Sequence, residues 1–133
     1  MFWAKKVIEE SKIGDKIFCL EEMFEEVTLL SKPNDPFGNC EYETKEGDIK
    51  TAFVGLFRPL SKGKYYHEID VERAFDADKD EDLMILMVKR VSMEAGFRVE
   101  ISDGGKIRVF GDTQKEVDDF VNLSIYNKRV LSP

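Results

Sequence analysis

The sequence predicts an α+β fold: a single domain, 1–133, with a mainly antiparallel sheet and helices packed against it, in the order α-α-β-β-β-α-β-β-α. Three observations carry that expectation. Residues 76–82 are rich in acid and run straight into the apolar stretch 83–88, which closes on Lys89, Arg90 and then Gly96. Acid at the start, base towards the end and a glycine stop are the electrostatic and capping signs of a helix. Next come two extended runs, 97–101 and 106–110, joined by Ser102-Asp103-Gly104-Gly105. Asp-Gly and Gly-Gly supply the positive φ angles of a tight hairpin turn. The remaining strand candidates are also separated by turns, with no repeating βαβ unit, which favours antiparallel pairing.

In chain order, Trp3, Val7 and Ile8 lie at i, i+4 and i+5, the spacing of a short amphipathic helix. Asp15 is a plausible N-cap for a second helix, because Ile17, Leu20, Phe24 and Val27 recur at helical spacing with Glu21, Glu22, Glu25 and Glu26 opposite. The β-branched, apolar end of that segment, 27–30, also fits a short strand. Residues 31–39, with Pro33, Pro36 and Gly38 among Asx residues, form a loop. Cys40, Tyr42 and Thr44 then alternate with Glu41, Glu43 and Lys45, the pattern of a half-exposed strand. A turn at 45–48 leads into 49–57, whose more continuous apolar character predicts a central strand. Residues 58–64 connect to a third strand, 65–71. After the helix at 79–95 and the hairpin at 97–110, Asp112 or Thr113 caps a last helix that buries Val117, Phe120, Val121, Ser124 and Ile125.

Hydrophobic residues at 42% and ten Phe argue against intrinsic disorder. Net charge is −7, and no long segment is basic overall, so non-specific phosphate-backbone binding has little global support. Cys19 and Cys40 belong to no CxxC or Cys/His pattern. No apolar stretch approaches the roughly 20 residues of a membrane span, and the N-terminus lacks the apolar core of a signal peptide. The expected setting is the cytoplasm, with reduced thiols, no membrane and no cofactor.

Asp76, Asp78 and Asp80 match the D-x-D-x-D start of a calcium loop, but Glu81 stands where the glycine is needed and Met87 where the bidentate Glu is needed. Helix-start acid explains the run better, and no metal site is expected there. Glu68, Asp70 and Glu72 share one face of a strand, the disposition of metal-dependent hydrolases, without a converging partner from another element. His67 is the sole histidine, so any Ser–His or Cys–His couple would have to use it, and no nucleophile signature surrounds Ser or Cys. The expectation is a protein without enzymatic activity.

Residues 98–111, followed by a helix carrying Lys115, Glu116, Val117, Asp118, Asp119 and Phe120, resemble the closing hairpin and helix of a KH-type RNA-binding domain over about 30 of 133 residues. The GxxG backbone clamp of that family is absent, since no two glycines stand three apart. The resemblance is therefore not extended to the family's function.

The leading functional expectation is an acidic protein-interaction module, a regulator or inhibitor of the phage, plasmid or small-operon kind. Glu21, Glu22, Glu25 and Glu26, with Asp76, Asp78, Asp80 and Asp82, would face a basic surface on a larger protein. The alternative is single-stranded RNA or DNA binding through Arg58, Lys62, Lys64, Tyr65, Tyr66 and His67, where basic groups hold phosphates and rings stack on bases. A metal-dependent hydrolase using Glu68, Asp70 and Glu72 is the third, and self-association is left open.

Overall fold

The computed structural model describes residues 2–23, 25–71, 80–102 and 104–126. The fold is α+β with antiparallel sheets, and it resolves into two compact units, Met1–Leu60 and Ser61–Pro133.

The first unit opens with α1 (Phe2–Glu10), which buries Ala4 and Val7. Five strands follow: β1 (Lys16–Cys19), β2 (Glu26–Leu29), β3 (Asn39–Glu43), β4 (Ile49–Phe53) and β5 (Phe57–Pro59). They pair antiparallel in the order β4-β3-β2-β1-β5. If flat, such a sheet would hold its edges about 19 Å apart. The 3-10 turn Val54–Leu56 joins the two edge strands directly, and a chain from Phe53 to Phe57 spans at most about 14 Å. The sheet therefore curls on itself. Its concave side, with α1, encloses Val7, Ile17, Cys19, Val27, Leu29, Cys40, Tyr42, Val54 and Phe57.

Two expectations are corrected here. The segment expected as a second helix from Asp15 to Val27 is β1, a turn and β2. Ile17, Phe18 and Cys19 are all buried, and β1 pairs with a strand on each side; that pairing outweighs the helical spacing. Asp15 caps no helix; its Oδ2 accepts the Lys12 N–H at 2.9 Å within the preceding turn. Residues 49–57 do not form one central strand. The 3-10 turn divides them into β4 and β5, which lie at opposite edges. Gly55 permits this turn, because a Cβ there would drive into the Phe53 ring.

The second unit contains β6 (Tyr65–Asp70), α2 (Glu81–Glu94), β7 (Arg98–Ser102), β8 (Lys106–Gly111) and α3 (Gln114–Phe120), which continues as a π-helical turn, Val121–Tyr126. The strand order is β6-β8-β7, antiparallel throughout. Asp80 caps α2, its Oδ1 accepting from the N–H groups of Asp82 at 3.0 Å and Leu83 at 3.3 Å. Lys89 and Arg90 fall inside α2 rather than in its last turn; Arg90 pairs with Glu94 at 2.9 Å. Gly104 and Gly105, at φ 86° and 76°, make the hairpin turn. Thr113 caps α3 through the Glu116 N–H at 3.1 Å. One sheet face and the helices enclose Ile69, Val88, Ile107, Val109, Val117, Val121 and Ile125.

Candidate functional site

Glu21, Glu22, Glu25 and Glu26 occupy the connection between β1 and β2 and the start of β2, not a helix face. Glu22 turns inward: its Oε2 accepts from the Tyr42 hydroxyl at 2.8 Å and from Lys50 Nζ at 3.4 Å. Glu25 pairs with Lys45 at 3.6 Å, Glu26 is half-buried opposite Phe18, and Glu21 is exposed. Met23 stands among them, 62% exposed. The connection thus carries an exposed apolar side chain, with the exposed Glu21 and Glu25 on either side of it in sequence. In the second unit, Asp76 and Asp78 lie outside the described residues. Asp80 is committed to the α2 cap, and Asp82 is exposed in the first turn.

Of the basic-aromatic residues, Arg58 lies in the first unit and the others in the second. Arg58 belongs to β5, where its guanidinium lies 4.6 Å from the Trp3 ring centre and donates to the carbonyls of Gly55 at 2.8 Å and Phe57 at 3.1 Å. Lys62, Lys64 and Tyr65 are exposed at and before the start of β6. Alternation along β6 sends Tyr66 and His67 to opposite faces. His67 faces the helices, with Nδ1 2.9 Å from Asp118 Oδ1 and its ring edge-on to Tyr126. That hydrogen bond, followed by one from Gln114, holds the Asp118 carboxyl below its ordinary range.

Tyr66 instead joins a face that sequence spacing did not reveal. Strand register aligns Tyr66, Phe110 and Arg98 in one row, then Glu68, Arg108 and Glu100, then Asp70, Lys106 and Ser102. Tyr66 and Phe110 are 5.3 Å apart between ring centres. Arg98 covers Phe110 at 4.0 Å, and Arg108 covers Tyr66 at 4.8 Å. Both arginines also pair with acid, Arg98 with Glu100 at 2.6 Å and Arg108 with Glu68 at 3.1 Å. The only sequence trace of this arrangement is the alternation of charge along each strand.

Glu68 is thus held by arginine, Asp70 stands opposite Lys106, and Glu72 lies outside the described residues. Among the described residues, no three His, Cys, Asp or Glu side chains converge as a metal site requires. Cys19 and Cys40 are buried, and burial pushes both thiols up, Cys40 to about 11. They are protonated near neutral pH and poorly suited to act as nucleophiles. Among the described residues, no helix is long and apolar enough to cross a membrane.

In comparisons with protein families, curated proteins and solved structures, nothing matches this chain.

Proposed function

We propose that the chain is a non-enzymatic, acidic protein-interaction module that engages a basic surface on a larger protein, as a regulator or inhibitor does. The observation that carries this reading is the exposed Met23 set among Glu21, Glu22, Glu25 and Glu26. A flexible thioether adapts to an irregular apolar pocket. The surrounding carboxylates steer a basic partner and reject an acidic one, and the net charge of −7 acts in the same direction. Glu22, tied to Tyr42, fixes the position of the connection, while Glu21 and Glu25 supply charge at its surface.

The test is association of the full chain with the partner that it captures from native-host lysate. Association slows as salt rises, and binding weakens when Glu21 and Glu25 are reversed to lysine. A rate indifferent to both changes overturns the reading.

A second reading, single-stranded nucleic acid, is favoured by one observation: Tyr66 and Phe110 lie in contact beneath Arg108 and Arg98. Rings and guanidinium planes are the platforms on which unpaired bases stack. Glu68 and Glu100 partly neutralise those arginines, which places this reading second. Titration of a fluorescent oligouridylate, with Tyr66→Ala and Arg108→Ala as variants, tests it. Nuclease-resistant capture of a protein by the wild type, with no oligonucleotide binding, removes it.

A further inference from the structure

The strand β4 is an open edge. It ends the five-stranded sheet, and among the described residues no strand pairs with its outer side. Its pairing with β3 shows which of its backbone groups face outward. Thr44 N–H donates to Asp48 O at 2.8 Å, and Val54 N–H donates to Gly38 O at 3.0 Å. In the antiparallel register Cys40↔Ala52 and Tyr42↔Lys50, hydrogen-bonded pairs alternate between those two bonds. Lys50 and Ala52 therefore point their backbone groups at β3, while Ile49, Thr51 and Phe53 point theirs away from it.

The side chains of the same three residues share the convex face of the sheet. Ile49 is 65% exposed and Phe53 39%, with the smaller, exposed Thr51 between them. Edge strands are ordinarily guarded by proline, an intervening lysine or a bulge, because unpaired edges recruit other chains. This one carries no proline, and its lysine, Lys50, is drawn to Glu22 on the other face. The surroundings are acidic. Glu41 and Glu43 on β3 lie directly behind Thr51 and Ile49, and Glu46 and Asp48 precede the strand. The neighbouring Lys45 is matched by Glu25.

We propose that β4 is a strand-addition site for an extended basic segment of a partner protein. The segment has a lysine or arginine opposite Thr51 and apolar residues opposite Ile49 and Phe53. The N–H and C=O groups of Ile49 and Thr51, with the N–H of Phe53, whose carbonyl starts the 3-10 turn, form the new ladder, as in other recognition by strand addition. The residue opposite Thr51 lies two strand spacings, about 10 Å, from β3. A long cationic side chain crosses the small Thr51 and meets Glu41. Charge selects this occupant over a second copy of the chain, which would bring another row of carboxylates to the same edge. The inference rests on the interaction-module reading and supplies the form of the partner.

The probe is a short capped peptide of alternating pattern, valine–threonine–arginine–threonine–valine, titrated into the isotopically labelled full chain. Its control carries glutamate in place of arginine. The expected footprint alternates: the amides of Ile49, Thr51 and Phe53 shift and gain exchange protection, while those of Lys50 and Ala52 change little. The glutamate peptide binds about tenfold more weakly, and Glu41→Gln narrows that difference. Thr51→Pro abolishes binding yet leaves the β3 pairing in place, since proline is tolerated where an edge N–H faces solvent. Unchanged Cys40 and Tyr42 resonances confirm that pairing.

Absence of the alternating footprint, or equal binding of the two peptides, overturns the proposal. So does concentration-dependent self-association that Thr51→Pro removes, which would assign the edge to a second copy. Partner capture that survives Thr51→Pro but is lost on reversal of Glu21 and Glu25 overturns the edge site and leaves the module reading standing.

Discussion

Tyr42 donates its hydroxyl hydrogen to Glu22 across 2.8 Å, so one carboxylate of the acidic connection is held by a residue whose ring is almost wholly buried in the sheet. Burial, then the hydrogen bond to Glu22, pushes the Tyr42 phenol above its ordinary range. Hydrogen bonds to charged groups contribute more than neutral ones, so Tyr42→Phe is expected to lower stability by about 1.5 kcal/mol. Glu21→Ala leaves stability within about 0.5 kcal/mol. Urea denaturation of both variants checks the contrast, and equal losses would contradict the division of roles within the connection.

Lys32 reaches back to the end of α1, donating from Nζ to Ile8 O at 3.0 Å and Ser11 O at 2.6 Å. A cation at a helix C-terminus satisfies orphan carbonyls and complements the dipole. Lys32→Met keeps the aliphatic stem and removes the charge and donors, with an expected loss of about 1–2 kcal/mol. The amides of the last turn of α1 should exchange faster in that variant.

Alkaline pH should weaken the first unit in a defined window. The Cys40 thiol ionises near its ordinary value of 9.0 in the unfolded chain but is pushed up by burial to about 11 in the folded one. Between those values the unfolded state holds fewer protons, so the Cys40 contribution to stability is intact below 9 and is lost as pH rises through 11. Cys40→Ala, despite a cavity cost at all pH values, should make that descent shallower. Parallel pH profiles for the two proteins would contradict the assignment.

Gly63 lies against backbone, not against a side chain that can move aside. A Cβ there would collide with the carbonyl of Gly111 and the Cα of Asp112, where Ser61 Oγ also donates to Asp112 Oδ1 at 2.8 Å. Gly63→Ala is expected to cost about 2 kcal/mol, whereas Lys64→Ala on the exposed side should stay within about 0.5 kcal/mol. Thermal unfolding of the pair separates them.

The parts of the fold that were legible are those written in local chemistry. Gly96 beyond the last turn and Gly104 with Gly105 in the hairpin each act on backbone within a few residues, and each stands where the sequence places it, whereas Asp80, expected inside the helix, is its cap. The stretch from Asp15 to Val27 was misread because its spacing satisfies a helix while its neighbours in space, β5 and β3, demand strands. The same limit governs the sites. Tyr66 was identifiable, but Phe110 and Arg98 join it only through the register of three strands. The exposure of Ile49 and Phe53 follows from the place of β4 at the sheet margin, which alternation along one strand does not disclose.

Cys19 and Cys40 are fully buried in β1 and β3, and the 61–133 unit contains no cysteine. A thiol-specific reagent therefore reacts only when the first unit opens, and its rate follows the free energy of that opening. The chain carries a chemical clock for the breathing of one half of itself. A ligand that slows the clock has tightened the curled sheet, even when the rest of the molecule stays silent.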